Sequence, residues 1–301
     1  MSSVAMPFRH LLLALLIVAI WGANFTAVKI ALRELPPLLL VAVRFVFVAF
    51  PAVFFLPRPA VTLRQLLVYG LTMFGLQFGF LFLGMKLGIS AGLASLVLQV
   101  QVFVTLTLAA VVLKERILAV QVAGAVVAGA GFAIVAAHTD AEVTVVGLGC
   151  VLLAAMSWGY ANFASKRLGR VNPLALVVWG SLVVPVPMGL ASWVFEGRGV
   201  IAESLTHAGW ATVLSVAYIV YASTHIGYSL WSWLLARYPA STVTPFALLV
   251  PVVGMLSSAI FLGEALPVWK FEAGALVIAG LALNIFGPRF RRAVPVAPGR
   301  V

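Results

Sequence analysis

Charged residues and cysteine are both scarce in this sequence. Only 9% of the 301 residues are charged, against about 25% in an average soluble domain, so the chain lacks the polar surface that a water-soluble globule needs. The single cysteine, Cys150, excludes an internal disulfide and a thiolate metal cluster. There is no Walker A loop, which excludes ATP hydrolysis by this chain. We therefore expect no cofactor and no metal site.

Acidic residues are few as well. Eight Asp and Glu stand against 19 Lys and Arg, and the formal net charge is +11. Such an excess could indicate nucleic-acid binding, but the basic residues lie in short connections beside long apolar runs and not in a soluble folding unit. Positive charge in such places orients a membrane protein. The charge pattern predicts a lipid bilayer as partner and no nucleic acid.

The apolar residues form ten runs long enough to cross a membrane. A membrane-spanning helix needs about 20 mostly apolar residues, and the mean hydropathy of the chain is +1.15. No small-residue cleavage site follows the first run, so we expect that run to be retained. The prediction is an all-α integral membrane protein with ten transmembrane helices. They cover residues 11–31, 37–56, 66–86, 89–113, 117–137, 145–165, 174–195, 210–235, 240–262 and 268–287.

Lys and Arg are distributed unevenly between the two sides of these helices. With the N-terminus inside the cell, thirteen of them lie on the inner side and five on the outer side, a strong positive-inside bias. Both termini are therefore predicted to be cytoplasmic. The inner set is Arg9, Arg58, Arg64, Lys114, Arg116, Lys166, Arg167, Arg170, Arg237, Arg289, Arg291, Arg292 and Arg300; the outer set is Lys29, Arg33, Lys86, Arg198 and Lys270, with the acidic Asp140, Glu142, Glu196 and Glu203 also outside.

The two halves of the chain resemble each other. Trp21-Gly22-Ala23-Asn24-Phe25 in the first half corresponds to Trp158-Gly159-Tyr160-Ala161-Asn162-Phe163 in the second. In the same order, Lys29 matches Lys166, and Glu115 matches Glu264. Chance similarity between glycine-rich apolar segments is the alternative interpretation.

These matches predict a first five-helix repeat over 1–140, a second over 141–290 and a basic cytoplasmic tail over 291–301. Five is odd, so the two repeats must cross the membrane in opposite senses. Many secondary transporters build a midplane site between such inverted repeats.

Arg44 is the most informative polar residue within a span. A guanidinium in hydrocarbon needs a partner or water, and its planar fork suits a carboxylate. One hypothesis is that Arg44 clamps a substrate carboxylate. The alternative is a structural role, either pairing with backbone carbonyls or extending toward the lipid headgroups.

Other polar side chains follow helical spacing. Trp21 with Asn24, and Trp158 with Asn162, each share one helix face, either for a solute or for hydrogen bonds between helices. Ser95 and Gln99 share a face that Gln101 does not, and this face is slightly favoured as cavity-lining. In the eighth span, Tyr221, His225, Tyr228 and Ser232 recur at helical spacing and form a polar stripe. This stripe suggests a water-lined wall, and the alternative is a buried histidine bonded to a backbone carbonyl. The candidate substrate-binding residues are Trp21, Asn24, Arg44, Gln77, Ser95, Gln99, Trp158, Asn162, Tyr221, His225 and Tyr228.

No Asp or Glu lies near the middle of any span. Glu115, Glu264 and Glu272 are explained by stabilisation of helix N-termini. A carboxylate-based proton relay has little support, and His225 is the one imidazole within a span that could carry a proton. Prolines in the seventh and ninth spans, among them Pro185 and Pro251, predict bends.

The chain resembles the EamA branch of the drug/metabolite transporter superfamily, and within it the O-acetylserine/cysteine exporters. The similarity is carried by Trp21-Gly22-Ala23-Asn24-Phe25, by Leu35-Pro36-Pro37-Leu38 with Arg44, by the segment from Gly92 to Gln101, and by Leu249-Val250-Pro251-Val252-Val253-Gly254. The resemblance implies two inverted five-helix repeats around a central cavity. It also implies efflux of small amino-acid-like metabolites across the bacterial inner membrane.

The residues can be compared with the needs of three classes of protein. A secondary transporter working by alternating access agrees best with the residues, and its solute could be an amino-acid-like metabolite or another metabolite or drug. An intramembrane enzyme would need a nucleophile–base pair, which the sequence does not show. A scaffold would not need Arg44 or the polar stripe. The sequence is compatible with a monomer or a homodimer.

Overall fold

The computed structural model describes residues 6–138, 143–169 and 171–292, and the ten predicted membrane spans are confirmed. Asp140, Glu142, Arg170, Arg300 and the rest of the predicted tail from residue 293 onward lie outside the described residues. The spans, numbered 1 to 10 in chain order, are Phe8–Ala31, Pro37–Phe54, Leu63–Lys86, Ala91–Leu113, Ala119–Ala137, Val145–Lys166, Pro173–Phe195, Trp210–Arg237, Thr244–Leu262 and Val268–Gly287.

Large apolar side chains cover the outside of the bundle. Phe54, Phe55, Val111 and Ile260 are each at least 72% exposed, which suits hydrocarbon and not water. Spans 5 and 10 pack against each other, and only 22% of span 5 is buried. Span 3, of which 56% is buried, is the most deeply enclosed of the ten spans.

The glycines of the two Trp-Gly pairs lie where spans of opposite repeats touch. A Cβ on Gly22 would stand 2.5 Å from the Cβ of Val253 in span 9. A Cβ on Gly159 would stand 2.6 Å from the Cβ of Val104 in span 4. Real side chains do not approach so closely, so each position requires glycine. The repeated dipeptide thus sets the contact of spans 1 and 9 and the contact of spans 6 and 4.

Spans 3 and 8, which correspond in the two repeats, both contain a widened π-helical segment. The segment is Leu71–Leu76 in span 3 and Tyr218–Ile226 in span 8. A π turn inserts an extra residue and shifts every following side chain around the helix axis. The straight-helix spacing used for the span 8 stripe therefore does not hold across its length.

Further interruptions also occur in corresponding spans. Span 4 runs as Ala91–Val97 and then Val100–Leu113, while its counterpart, span 9, begins with a 3₁₀ segment, Thr244–Leu249. The bends predicted from proline are present: span 7 stops at Ser181 and resumes at Pro185. The interruption of span 4 was not predicted, because no proline marks it.

Three carboxylates join the repeats at one end of the bundle. Glu196, after span 7, accepts the backbone N–H groups of Leu38 and Leu39 at 2.7 and 3.0 Å. Glu264, after span 9, accepts those of Ala91 and Gly92 at 2.7 and 3.2 Å.

Glu34, after span 1, accepts the N–H of Gly209 at 2.8 Å. Each of the three carboxylates therefore caps a helix of the other repeat, where first-turn N–H groups lack partners. We call this end, defined by Glu34, Glu196 and Glu264, the carboxylate end.

Candidate substrate site

Arg44 is buried in the middle of the bundle. Span 2 begins at Pro37, whose fixed φ suits the first helical turn, and Arg44 follows two turns later. The side chain is only 3% exposed. Its guanidinium carbon lies 4.1 Å from the ring centroid of Phe78 and 5.4 Å from that of Phe45, so aromatic faces supply part of its electrostatic compensation.

The guanidinium has few hydrogen-bond partners. Arg44 Nη2 donates to Thr224 Oγ1 at 3.2 Å, while Nε and Nη1 have no partner among the residues that the structure describes. Thr224 can accept because its own proton goes to the carbonyl of Ile219, 2.8 Å away within the π segment. Neither pairing with backbone carbonyls nor extension toward the headgroups, the structural roles considered for Arg44, is observed in the described chain.

His225 lies beside span 2 as well. Its Nε2 is 3.0 Å from the carbonyl oxygen of Val48, and because a carbonyl only accepts, Nε2 carries the hydrogen. Nδ1 is buried and has no partner in the described ranges, so in the neutral ring it is an available acceptor. Tyr221 stacks on this ring at 5.7 Å, yet it is 48% exposed and lies outside the buried group.

Trp21 and Asn24 reach the same region from span 1. Trp21 donates from Nε1 to the Ser223 carbonyl at 3.0 Å and packs against Tyr228 with ring centroids 5.6 Å apart. Asn24 is 7% exposed, and its Oδ1 is buried without a partner in the part of the chain described.

The corresponding pair in the second repeat has a different environment. Asn162 donates from Nδ2 to Gln101 Oε1 at 2.7 Å, tying span 6 to span 4. Trp158 is half-buried against the core. Gln101 is thus the glutamine that joins helices, and equivalent sequence positions do not have equivalent partners.

Ser95, Gln99 and Gln77 lie apart from these contacts. Ser95 donates to the Gly92 carbonyl at 2.6 Å and fills the tight contact with Gly254 of span 9. Gln99 is half-buried at the interruption of span 4. Gln77 is buried at the end of the π segment of span 3.

Sequence reasoning missed two residues around Arg44. Thr224 lies four residues before Tyr228, a helical spacing that could have drawn attention to it. Phe78 gives no such signal, since the chain contains 20 phenylalanines. Phe78 and Thr224 contact Arg44 directly, while Trp21, Asn24, His225 and Tyr228 lie on the adjoining segments of spans 1 and 8. We call Trp21, Asn24, Arg44, Phe78, Thr224, His225 and Tyr228 the Arg44 cluster.

The Arg44 cluster offers both kinds of unused hydrogen-bonding atom. Arg44 supplies charged donors, while Asn24 Oδ1 and neutral His225 Nδ1 supply acceptors. The Phe78 ring lies against the guanidinium, and the rings of Trp21 and Tyr228 pack against each other. No group of three metal-binding side chains occurs in the described residues. Such a cluster can hold a small solute with an anionic and a cationic group.

Ten spans with paired interruptions around a buried cation define a membrane transporter built from two repeats. Comparison with known proteins makes this specific, since the profile of the EamA-like transporter family matches residues 9–137 and again residues 145–286. The chain belongs to the EamA-like transporter family.

Similar proteins that carry functional names agree with this family. The "Probable amino-acid metabolite efflux pump" of Salmonella typhimurium is 43% identical over 291 residues, covering 95% of this chain and 97% of that protein. Its Escherichia coli namesake is 41% identical, with 94% and 97% covered. A "Probable terminal-alkyne amino-acid exporter" of Streptantibioticus cattleyicolor is 30% identical, with 70% of each chain covered.

A solved structure titled "Crystal structure of protein" has a TM-score of 0.63 to this chain. It is 19% identical and covers 95% of this chain and 99% of its own. At that identity the likeness concerns the fold alone. The protein is a multi-pass membrane transporter with a small-molecule substrate.

Proposed function

We propose that this transporter exports small amino-acid-like metabolites of the O-acetylserine/cysteine class across the bacterial inner membrane. The observation that carries the proposal is the buried Arg44 guanidinium, which has one neutral hydrogen bond and unused donors. A buried cation without an anion is costly. A substrate carboxylate would supply that anion in a charge-assisted hydrogen bond.

The other members of the Arg44 cluster favour a zwitterion with a neutral side chain. An ammonium group needs acceptors, and Asn24 Oδ1 and His225 Nδ1 are unused. The aromatic rings suit an uncharged side chain and offer no partner for a second carboxylate. The names of the relatives, an amino-acid metabolite efflux pump among them, support the same class.

Transport would proceed by alternating access between residues 1–140 and 141–290, acting as the two repeats. With both termini in the cytoplasm, the carboxylate end faces outward. In this conformation the three caps link the two repeats at that end, and Arg44 and Thr224 are each 3% exposed. Export would require the caps to release so that the Arg44 cluster opens outward.

Efflux from vesicles containing the purified protein tests the proposal. Vesicles are loaded with labelled O-acetylserine, with cysteine, or with the methyl ester of either, and efflux is followed with and without a pH gradient. We expect the free acids to leave faster than from protein-free vesicles and the esters to compete poorly. Equal competition by esters and free acids would contradict a carboxylate clamp.

Reporter fusions test the orientation separately. A reporter joined after Thr139 should report the periplasm, and one joined after Arg300 should report the cytoplasm, given the positive-inside bias. Both reporters on one side would show that the number of spans between them is wrong.

A further inference from the structure

A groove of about 430 Å³ opens at the end of the bundle opposite the carboxylate end, between spans 3 and 6. Arg64 lies in the first turn of span 3, and Arg167 directly follows span 6; both line the groove. We call this end, defined by Arg64 and Arg167, the arginine end. No acidic residue lines the groove, and within the described chain neither arginine has an ion-pair partner.

The groove opens toward lipid. Leu153, Met156 and Tyr160 are 46%, 54% and 42% exposed, and their spacing of three and four residues places them on one face of span 6. That apolar, exposed face is the face that meets the bilayer. Tyr160 also lines the groove, so the groove is continuous with the lipid-facing surface.

The lining changes from charged to apolar along the membrane normal. Arg167 lies seven residues beyond Tyr160 in span 6, which is about 10 Å along a helix axis. Phe163 and Val68 line the intervening depth. The groove therefore has charged residues at the level of the lipid headgroups and apolar residues at the level of the acyl chains, which matches a phospholipid. A free anion would need only the charged part.

The matching groove at the carboxylate end serves as an internal comparison. It lies between spans 1 and 8, the repeat counterparts of spans 6 and 3, and has about 220 Å³. Ile30 occupies the position of Arg167, 137 residues earlier, the same offset as between Trp21 and Trp158. No basic residue lines that groove. The fold therefore does not itself require arginines here.

We propose that the groove between spans 3 and 6 binds an anionic phospholipid, with its phosphate between Arg64 and Arg167 and an acyl chain along Tyr160 and Phe163. Basic pockets between membrane helices on the cytoplasmic side are known to hold anionic headgroups. This site is distinct from the Arg44 cluster and does not depend on which solute is transported.

Lipid binding to the full-length protein in a neutral detergent tests the site. Dioleoyl phosphatidylglycerol is titrated in, and bound lipid is counted by native mass spectrometry. We expect Arg64→Gln with Arg167→Gln to weaken binding about fivefold for each arginine, thus about twenty-five-fold for both. Arg9→Gln with Arg116→Gln removes the same charge from the same side outside the groove and should leave the affinity unchanged.

Two other outcomes would overturn the proposal. Equal weakening in both double variants would show attraction to diffuse surface charge. Displacement of the lipid by glycerol phosphate at similar concentrations would show a site for a soluble anion, because that probe lacks acyl chains.

A photoreactive phosphatidylglycerol applied to the unmodified protein gives a test that needs no variant. Labelling should fall on peptides containing residues 62–69 and 160–168, and excess unlabelled phosphatidylglycerol should suppress it, whereas phosphatidylcholine should not. Labelling spread evenly over the lipid-facing spans would contradict the proposal.

Discussion

Arg44 combines deep burial with one neutral hydrogen bond. Removing its charge should therefore affect solute binding more than folding, because the desolvation cost disappears together with the charge. Arg44→Gln should lose about 1.5–3 kcal/mol of carboxylate binding, or about ten- to a hundredfold in affinity. Arg44→Lys should also impair transport, since an ammonium replaces the planar fork. Efflux kinetics and thermal melting measure the two effects.

A structural role for Arg44 would reverse this pattern. Poor insertion and a lowered melting temperature, with normal affinity in the surviving protein, would count against the clamp. Substrate esters provide the control, since blocking the carboxylate should cost affinity in the native protein and not in Arg44→Gln.

A glutamine at position 225 separates solute binding from energy coupling. Its amide N–H can replace Nε2 as donor to the Val48 carbonyl, and its amide oxygen can replace Nδ1 as acceptor, but the amide cannot take up a proton. If His225 carries a proton, His225→Gln should leave counterflow intact and abolish the response of efflux to an imposed pH gradient. A gradient response equal to that of the native protein would remove His225 from coupling.

The sequence alone singled out Arg44 as a candidate binding residue, because a charged residue inside a membrane span is unusual in any fold. It could not show the partner of Arg44. Thr224 reaches the guanidinium through a π segment, and a π turn has no reliable residue signature. Asn24 and Asn162 could not be told apart either, because the difference lies in Gln101, whose side-chain oxygen accepts a hydrogen bond from Asn162.

At the scale of helices, hydropathy predicted the ten spans, but the sequence predicted only some of their interruptions. Proline marks the interruptions of spans 7 and 9, and both are present. No local pattern in the sequence marks the break near Gln99 or the π segments. These irregular segments recur in corresponding spans, as in transporters whose broken helices surround a midplane site.

Gly159 offers a test of the contact between spans 6 and 4. A methyl group there would meet Val104 at 2.6 Å, so Gly159→Ala should destabilise the protein by about 1–3 kcal/mol, as for other overpacked contacts. Gly149→Ala in the same span is the matched control, because nothing lies within 4 Å of its added Cβ. Thermal melting of both variants in detergent gives the comparison. Equal melting temperatures would contradict the tight contact.

At the scale of the whole molecule, the link between the two repeats at the carboxylate end should depend on the pH at that end. Hydrogen bonds from the Thr212 side chain and the Gly209 backbone lower the pKa of Glu34 below its usual value of 4.5. The stabilising contact is therefore fully present above pH 4.5 and is lost as the pH falls through the lowered pKa. Hydrogen exchange at Gly209, corrected for intrinsic rates, should accelerate across that range.

Two variants control this pH effect. Glu34→Gln cannot titrate, so exchange at Gly209 should lose its acid transition. Glu203→Gln, on the connecting helix Arg198–His207, should keep it. An acid transition that persists in Glu34→Gln would assign the pH dependence to another group.

The cross-repeat caps also impose an order on biogenesis. The amides of Leu38 and Ala91 receive their carboxylates from residues 158 and 173 positions later in the chain. At a synthesis rate of about 5–20 residues per second, that interval is roughly 8–35 s. During that time, the first helical turns that begin at Pro37 and Ala91 have N–H groups for which water is the only hydrogen-bond partner. A ribosome that stops after residue 140 would thus leave a half that cannot complete its own hydrogen bonds, which gives quality-control proteases a physical mark by which to distinguish it.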